Sequence, residues 1–287
     1  MHTRNSADKG IVRNDYEREL KAHWDAKTAD EINLLLGAED GLYHHHYAVG
    51  DFDRSVLTAP AEIREERILR ELHRMESDQV SLLTDALGDV RPEWRGMDAG
   101  SGRGGTSFMI AEKFGCQMSG VNFCTHHVEF ADGIAQKHGW DKKVDFHVAN
   151  MVQTPFQDGA FDFVVSNETT MYVDLHEVFG EIRRVLRPGG RYVATTWCRN
   201  DAVDRRSAAS ARIDEHYVCR MHERSTYFEA LAASGLVPYR VTRHTEEAVP
   251  YWELRNQSAM RTGVEDPFLE GYRERSLDYL LIAAERI

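Results

Sequence analysis

The ten residues Gly96-Met-Asp-Ala-Gly-Ser-Gly-Arg-Gly-Gly105 constrain this chain more than any other stretch. A short apolar lead-in ends on Asp98, glycines follow at 100, 102, 104 and 105, and an apolar helical run over 106–114 comes next. That order is strand, tight turn, helix. Glycines let the main chain approach a ligand closely, and a helix N-terminus offers N–H groups with no intrahelical partner. As a bare pattern, Gly100-x-Gly102-x-x-Gly105 is a weak dinucleotide signal. Its context changes the reading. The acid precedes the glycines, and the next strand-like segment, 116–121, closes on Asn122 where a dinucleotide site needs Asp or Glu. The turn therefore suits an adenosine-type ligand without phosphates, and S-adenosylmethionine is the usual candidate. The competing reading is a glycine-rich turn in some other α/β protein.

Around that turn, short apolar runs alternate with amphipathic ones. They predict strands over 94–98, 117–121, 143–148, 161–166 and 191–197, and helices over 104–114, 125–138 and 174–187. Leu175, Val178, Phe179, Ile182, Val185 and Leu186 recur at helical spacing until Arg187-Pro-Gly-Gly190 stops them. The last third adds a helix near 225–234, strands near 236–243 and 277–284, and an irregular segment holding Pro250-Tyr-Trp-Glu-Leu-Arg255. Strands alternating with helices imply a parallel, doubly wound Rossmann-like sheet with right-handed crossovers. Residues 1–90 read differently: a helix over 14–27, an aromatic and His-rich loop over 41–53, and a long helix from about 61 to 87. We expect one compact α/β domain, with 1–90 as an N-terminal helical cap and lid on a core of 91–287. In such sheets ligands bind beyond the C-terminal strand ends. That places Asp98, Gly100 and Gly102 at the cofactor, with Asn122 near a ribose and Asn150 and Met151 near an adenine.

Composition excludes several classes of function. A net charge of −12 argues against a nucleic-acid-binding surface. No apolar run approaches the ~18 residues of a membrane span, and 1–15 is polar. The four cysteines, at 116, 124, 198 and 219, show neither metal-ligand spacing nor a disulfide framework, which fits reduced thiols in a cytoplasm.

Three constellations carry chemistry. The apolar strand Phe161-Asp-Phe-Val-Val165 runs into Ser166-Asn-Glu-Thr-Thr-Met-Tyr172. A carboxylate at the mouth of a buried strand sits in a partly dry pocket, where Glu168 can act as a base or stabilise positive charge; the alternative is that it caps nearby backbone. Asn167 beside it either orients a methyl donor or satisfies the loop. In Leu42-Tyr-His-His-His-Tyr47 three consecutive histidines point in different directions, so they form no tetrahedral metal site by themselves. A lid is the better reading, with Tyr43 and Tyr47 offering ring faces to a cation and imidazole N–H groups a phosphate contact. On the long N-terminal helix, at roughly 100° per residue, Ile68, Leu69, Leu72, Met75, Gln79, Val80 and Leu83 share one arc. Glu76 lies inside it, and a glutamate on a buried stripe needs a partner, an Arg or a Mg²⁺ shared with a substrate phosphate. Glu71 falls off the stripe and is expected in solvent. Tyr172, Trp197, Tyr217, Tyr251 and Trp252 supply aromatic surface for a hydrocarbon or a cation.

With these residues in view, the chain resembles the geranyl diphosphate methyltransferases, a branch of the class I S-adenosylmethionine-dependent methyltransferases. The resemblance runs from about Tyr16 to the C-terminus. It rests on the motifs at 41–47, 71–77 and 98–105, on 150–151 with 154–156, on 167–168 with 171–176, and on 250–255. It implies methyl transfer from S-adenosylmethionine to an alkene carbon of a prenyl diphosphate, geranyl diphosphate foremost, with Mg²⁺ helping to hold the diphosphate. The rivals are isopentenyl or farnesyl diphosphate, a prenylated indole or fatty acyl acceptor, and a non-catalytic subunit that only binds the cofactor. On the family pattern Glu168 removes a proton from a carbocation that Tyr47 and Tyr217 face. Asn33, His45, His46, Tyr172 and Trp252 meet substrate and diphosphate, Glu76 holds the metal directly or through water, and Asn167 joins the cofactor set. Ser101 stands where the family has Cys, His127 where it has Gln, and Tyr217 where enzymes methylating the second carbon carry Phe. The second and the sixth carbon both remain open. A homo-oligomer is expected, with neither nucleic acid nor membrane as partner.

Overall fold

The computed structural model describes residues 10–27, 31–203 and 207–287. Helix α1 (Asp15–Ala26) begins where the Asn14 side chain accepts from Glu17 N–H, a standard cap for donors the first turn leaves unpaired. After α2 (Glu31–Leu36) and a short 3-10 turn at Arg54–Thr58 comes α3 (Ala61–Leu87). Its predicted stripe is buried at Ile68, Leu72, Met75, Gln79, Val80 and Leu83, and Gly88 (φ 66°) ends it. The remaining helices are α4 (Gly105–Phe114), α5 (Thr125–His138), α6 (Leu175–Val185), α7 (Ala208–Tyr217), α8 (Arg224–Ala233), α9 (Val249–Arg255) and α10 (Glu265–Arg273).

Seven strands form one sheet: β1 (Arg95–Ala99), β2 (Gln117–Asn122), β3 (Val144–Val148), β4 (Phe161–Asn167), β5 (Leu186–Arg199), β6 (Leu236–Arg243) and β7 (Leu277–Arg286). Their order is β3-β2-β1-β4-β5-β7-β6. Strands β1 to β5 are parallel, but β7 runs antiparallel between β5 and β6, so the sheet is mixed rather than all-parallel. The chain order reverses at β1 and β4, which opens a crevice at their C-terminal ends. One sheet face packs on α6 and α8 through Val178, Phe179, Ile182, Tyr227 and Leu231. The other packs on α3, α4 and α5 through Leu83, Phe108, Ile110 and Ala131. Beyond the strand ends a third cluster joins α3, α9 and α10 through Leu72, Met75, Trp252 and Phe268. Each fully buried aliphatic or aromatic side chain contributes roughly 1.5–3 kcal/mol.

Several expectations need correction. The segment at 250–255 is helical, because Pro250 occupies the first turn of α9, where its missing N–H costs nothing. Helices α2, α7 and α10 lie where no helix was expected. Strand β5 begins at Leu186, which pairs with Phe161 across a bulge, so Arg187-Pro-Gly-Gly190 belongs to the strand. Glu71 is half-buried: its carboxylate accepts from Arg74 Nη2 at 2.6 Å and from Asp53 N–H at 2.8 Å.

Candidate active site

The crevice at the β1–β4 strand ends is a cavity floored by the glycine turn. Gly100 and Ser101 N–H both donate to Val121 O at 2.9 Å, which ties the turn to β2. Gly100 has φ +93°, and a Cβ there would lie 2.4 Å from Thr169 Cγ2; Gly102 also has a left-handed φ, +54°. Position 100 requires glycine, and Gly102 holds a conformation that glycine adopts without strain. Asp98, beneath the turn, accepts from Ser107 Oγ at 2.7 Å, and burial pushes its carboxyl up to about 6. Asn122, Asn150 and Met151 line the cavity. The Asn122 carboxamide accepts from Cys124 N–H at 2.8 Å, and Asn150 Nδ2 donates to Ile11 O at 3.1 Å.

Two lid segments cover the turn. The His-rich segment is anchored where Gly105 N–H donates to Tyr43 O at 3.2 Å. His46 Nδ1 lies 3.0 Å from Tyr47 O, which can only accept, so His46 Nε2 is left as acceptor for His44 Nδ1–H at 3.1 Å. His44 Nε2 then accepts from Ser77 Oγ at 3.2 Å. This chain needs neutral imidazoles, and burial lowers both groups, His46 to about 4. Both ring nitrogens of His46 are thus engaged within the protein. His45 instead accepts from Arg103 Nη1 at 2.6 Å beside the glycine turn and His127, on the cofactor side of the cavity. The second lid is α1, whose Glu17, Leu20 and Trp24 line the cavity; Trp24 stacks on His45 and meets Tyr172 edge-on at 5.7 Å. The sequence placed this helix within the expected cap and lid, but none of its residues was named for the site. The signals available were Tyr16, Leu20 and Trp24, large apolar or aromatic residues on a largely charged helix.

Glu168 lies just past β4 in the left-handed region (φ +54°), a conformation costing a non-glycine residue about 1–3 kcal/mol. Among the described residues it caps no local backbone. Its Oε2 accepts from Tyr47 N–H at 3.2 Å and Trp197 Nε1–H at 3.1 Å, and its Oε1 from Tyr279 O–H at 2.5 Å. Burial raises its pKa to about 7 against the pull of those donors. Adjacent Asn167 lines the cavity, and its carboxamide is bonded to Gln79, Thr195 and Thr106.

Beside Glu168 stands an aromatic cluster. Tyr47 packs on Trp252 with ring centres 4.4 Å apart, Trp252 stacks on Phe268 at 4.0 Å, and the Tyr47 and Tyr217 hydroxyls are hydrogen-bonded to each other. Glu76 is 1% exposed, and its Oε1 accepts from Tyr251 O–H at 2.6 Å; Arg255 reaches the same phenol at 3.3 Å. The expected Arg is therefore present but relayed through Tyr251. Asn33 sits half-buried on α2, apart from the residues lining the cavity. Among the described residues, one group of three metal-type side chains comes together, Asp25, Cys124 and His126, and it does not include Glu76.

A seven-stranded 3-2-1-4-5-7-6 sheet with a glycine turn, a buried acid before it and a cavity at the switch point defines a Rossmann-like methyltransferase. Residues 97–194 match a family model described as a methyltransferase domain. The chain is 46% identical over 285 residues to the geranyl diphosphate 2-C-methyltransferase of Saccharopolyspora erythraea, spanning 99% of this chain and 100% of that one. A solved geranyl diphosphate methyltransferase in complex with GPP and sinefungin superposes with a TM-score of 0.92 at 43% identity, over 95% of this chain and 100% of the other. The Streptomyces coelicolor geranyl diphosphate C-methyltransferase, in complex with Mg²⁺, geranyl-S-thiolodiphosphate and S-adenosyl-L-homocysteine, gives 0.92 at 40% identity, over 96% and 99%. The chain belongs to the geranyl diphosphate C-methyltransferase family of S-adenosylmethionine-dependent enzymes.

Proposed function

We propose that this enzyme methylates the second carbon of geranyl diphosphate, and that Glu168 ends the reaction by removing a proton. The observation that carries the reading is a desolvated carboxylate held by three donors between an adenosine-type cavity and an aromatic cluster. S-adenosylmethionine supplies an electrophilic methyl group when bound, and Mg²⁺ supplies positive charge against the diphosphate. The cavity suits a sulfonium: Glu17, Asp98 and Glu168 line it, while burial keeps His44, His45, His46 and His127 neutral. Asp98, Gly100, Gly102, Asn122, Asn150 and Met151 would hold the cofactor. Glu76 suits Mg²⁺ in the ion's usual mode, one carboxylate with water and substrate phosphate completing the shell.

Methylating an alkene carbon leaves a tertiary cation on the neighbouring one. The faces of Tyr47, Tyr217 and Trp252 stabilise it without a nucleophilic atom to trap it. Glu168, ionised, then takes a proton from an adjacent carbon. The His-rich lid and α1 exclude water that would quench the cation as an alcohol. On this reading residues 1–90 act as cap and lid to a core of 91–287, and the chain works in the cytoplasm as a homo-oligomer. Among the described residues no helix is long and apolar enough to cross a membrane.

Incubation with S-adenosylmethionine, Mg²⁺ and prenyl diphosphates of several lengths, with products identified by NMR and mass spectrometry, tests the reading. A 2-methyl product from geranyl diphosphate, lost on chelation of Mg²⁺, is expected. A 6-methyl product or preference for another acceptor would overturn it. Light scattering tests the assembly, and a monomer mass would overturn that part.

A further inference from the structure

Glu168 is tied to α3 by a chain of buried hydrogen bonds. Gln79, 1% exposed, exchanges two bonds with Asn167: its Nε2 donates to Oδ1 at 2.9 Å, and its Oε1 accepts from Nδ2 at 3.0 Å. The same Nε2 lies 3.0 Å from Thr195 Oγ1 and 2.8 Å from the Tyr279 hydroxyl oxygen. Tyr279 in turn donates to Glu168 Oε1 at 2.5 Å.

A phenol has one hydrogen. With a Gln79 N–H pointed at its oxygen, Tyr279 cannot direct that hydrogen back to Gln79, and it goes to Glu168. The other two groups on the carboxylate, Trp197 Nε1–H and Tyr47 N–H, can only donate. Every partner of Glu168 among the described residues therefore presents a hydrogen, which favours the anion. Were the Gln79–Asn167 amide pair turned over, Gln79 Oε1 would take the Tyr279 hydrogen. Glu168 would then have to carry a proton itself to satisfy the phenol oxygen.

We propose that Gln79, acting through Tyr279, is a positioning residue that keeps Glu168 in the ionised, proton-accepting form. The inference rests on the reading of Glu168 as the base. Other groups that act on Glu168 or feel its charge come from several elements: Glu76 on α3, Tyr172 in the 3-10 turn at Thr170–Tyr172, Tyr272 on α10 and Tyr279 on β7. Glu76 adds to the effect of burial and disfavours the anion. Directed donors are what oppose both.

The test is kcat/KM against pH, from 5.5 to 9, for Tyr279→Phe and Gln79→Met in the full chain with S-adenosylmethionine, Mg²⁺ and geranyl diphosphate. In both variants the acid limb should move up by about one pH unit, an approximately tenfold loss on its acid side that recovers as pH rises. The double variant should shift no further than Tyr279→Phe alone, because Gln79 acts through that phenol. A merely structural role would lower activity at every pH without moving the limb, and that result would overturn the proposal. Should Gln79→Met fail to fold, an unmoved limb in folded Tyr279→Phe overturns it equally. Glu168→Gln in the same assay separates the two levels. Retained turnover there removes the base reading and the proposal together, whereas an inactive variant beside an unmoved limb in Tyr279→Phe removes only the proposal.

Discussion

Replacing Glu168 by Gln separates the charge of this side chain from its shape, and the structure sets the size of two effects. The first is on stability. Burial lifts the Glu168 carboxyl to about 7 from an ordinary value of 4.5. Between those values the folded chain keeps a proton that the unfolded chain has lost, so the folded state loses stability as pH rises through the window. A displacement of roughly 2.5 units at about 1.36 kcal/mol each is worth about 3 kcal/mol. The Glu168→Gln variant has no such charge. It loses one acceptor opposite Trp197, Tyr47 and Tyr279, but that loss is the same at every pH. Its melting midpoint relative to the parent should therefore rise by about 6 °C between pH 4.5 and 7.5, taking roughly 2 °C per kcal/mol for a chain of this size. The second effect is on rate. Loss of a positioned base costs about 10²–10⁴, so turnover should fall at least about a hundredfold while S-adenosylmethionine still binds. In the parent, kcat/KM should climb with pH near 7 as the carboxyl ionises. A bound sulfonium favours the anion, so the limb in kcat should lie lower. Thermal melts across pH, with product quantified by mass spectrometry, measure both. A midpoint difference that stays constant with pH would show that Glu168 ionises normally, and near-parent turnover would pass the role of base to a lid histidine or a tyrosine.

Gly102→Val should abolish S-adenosylmethionine binding in calorimetry, because Gly102 has φ +54° and its Cβ would come within 3.3 Å of His45 Nδ1; unchanged affinity would move the cofactor away from the turn. Glu76→Gln keeps an acceptor for Tyr251 but removes the charge, so the Mg²⁺ and substrate requirements should weaken with cofactor affinity intact. A fall in thermal stability alone would make Glu76 a partner of Tyr251 and nothing more. Tyr217→Phe removes the hydroxyl bonded to Tyr47 and keeps the ring face. Its fold should survive while rate or product distribution changes, and identical rate and products would exclude that hydroxyl from control of the cation.

What the sequence disclosed follows from how each feature is encoded. Strand β4 was legible because a parallel strand buried on both faces reads as a short apolar run, and β1 because the glycine turn follows it directly. Helix α3 was legible over its whole length because one apolar arc persists until Gly88. Helix α9 was not, since Pro250 reads as a breaker wherever its position in a first turn is unknown. At the site, Glu168 was visible because it follows an apolar strand directly, at the end where a parallel sheet binds its ligand. Its three donors were not: Tyr47, Trp197 and Tyr279 stand 121, 29 and 111 positions away. Periodicity tells which face of an element is buried and is silent on which polar groups meet there. The signal that survives this limit is the polar interruption of an apolar stripe. Glu76 and Gln79 both lie on the buried arc of α3, and a buried polar group must find a partner. Glu76 found Tyr251 of α9, and Gln79 found Asn167 and Tyr279. The two interruptions are thus the points at which the cap helix engages the residues around the candidate base; Glu76 was singled out from the sequence as needing a partner, whereas Gln79 was counted with the stripe and its polar contacts emerge only in the fold.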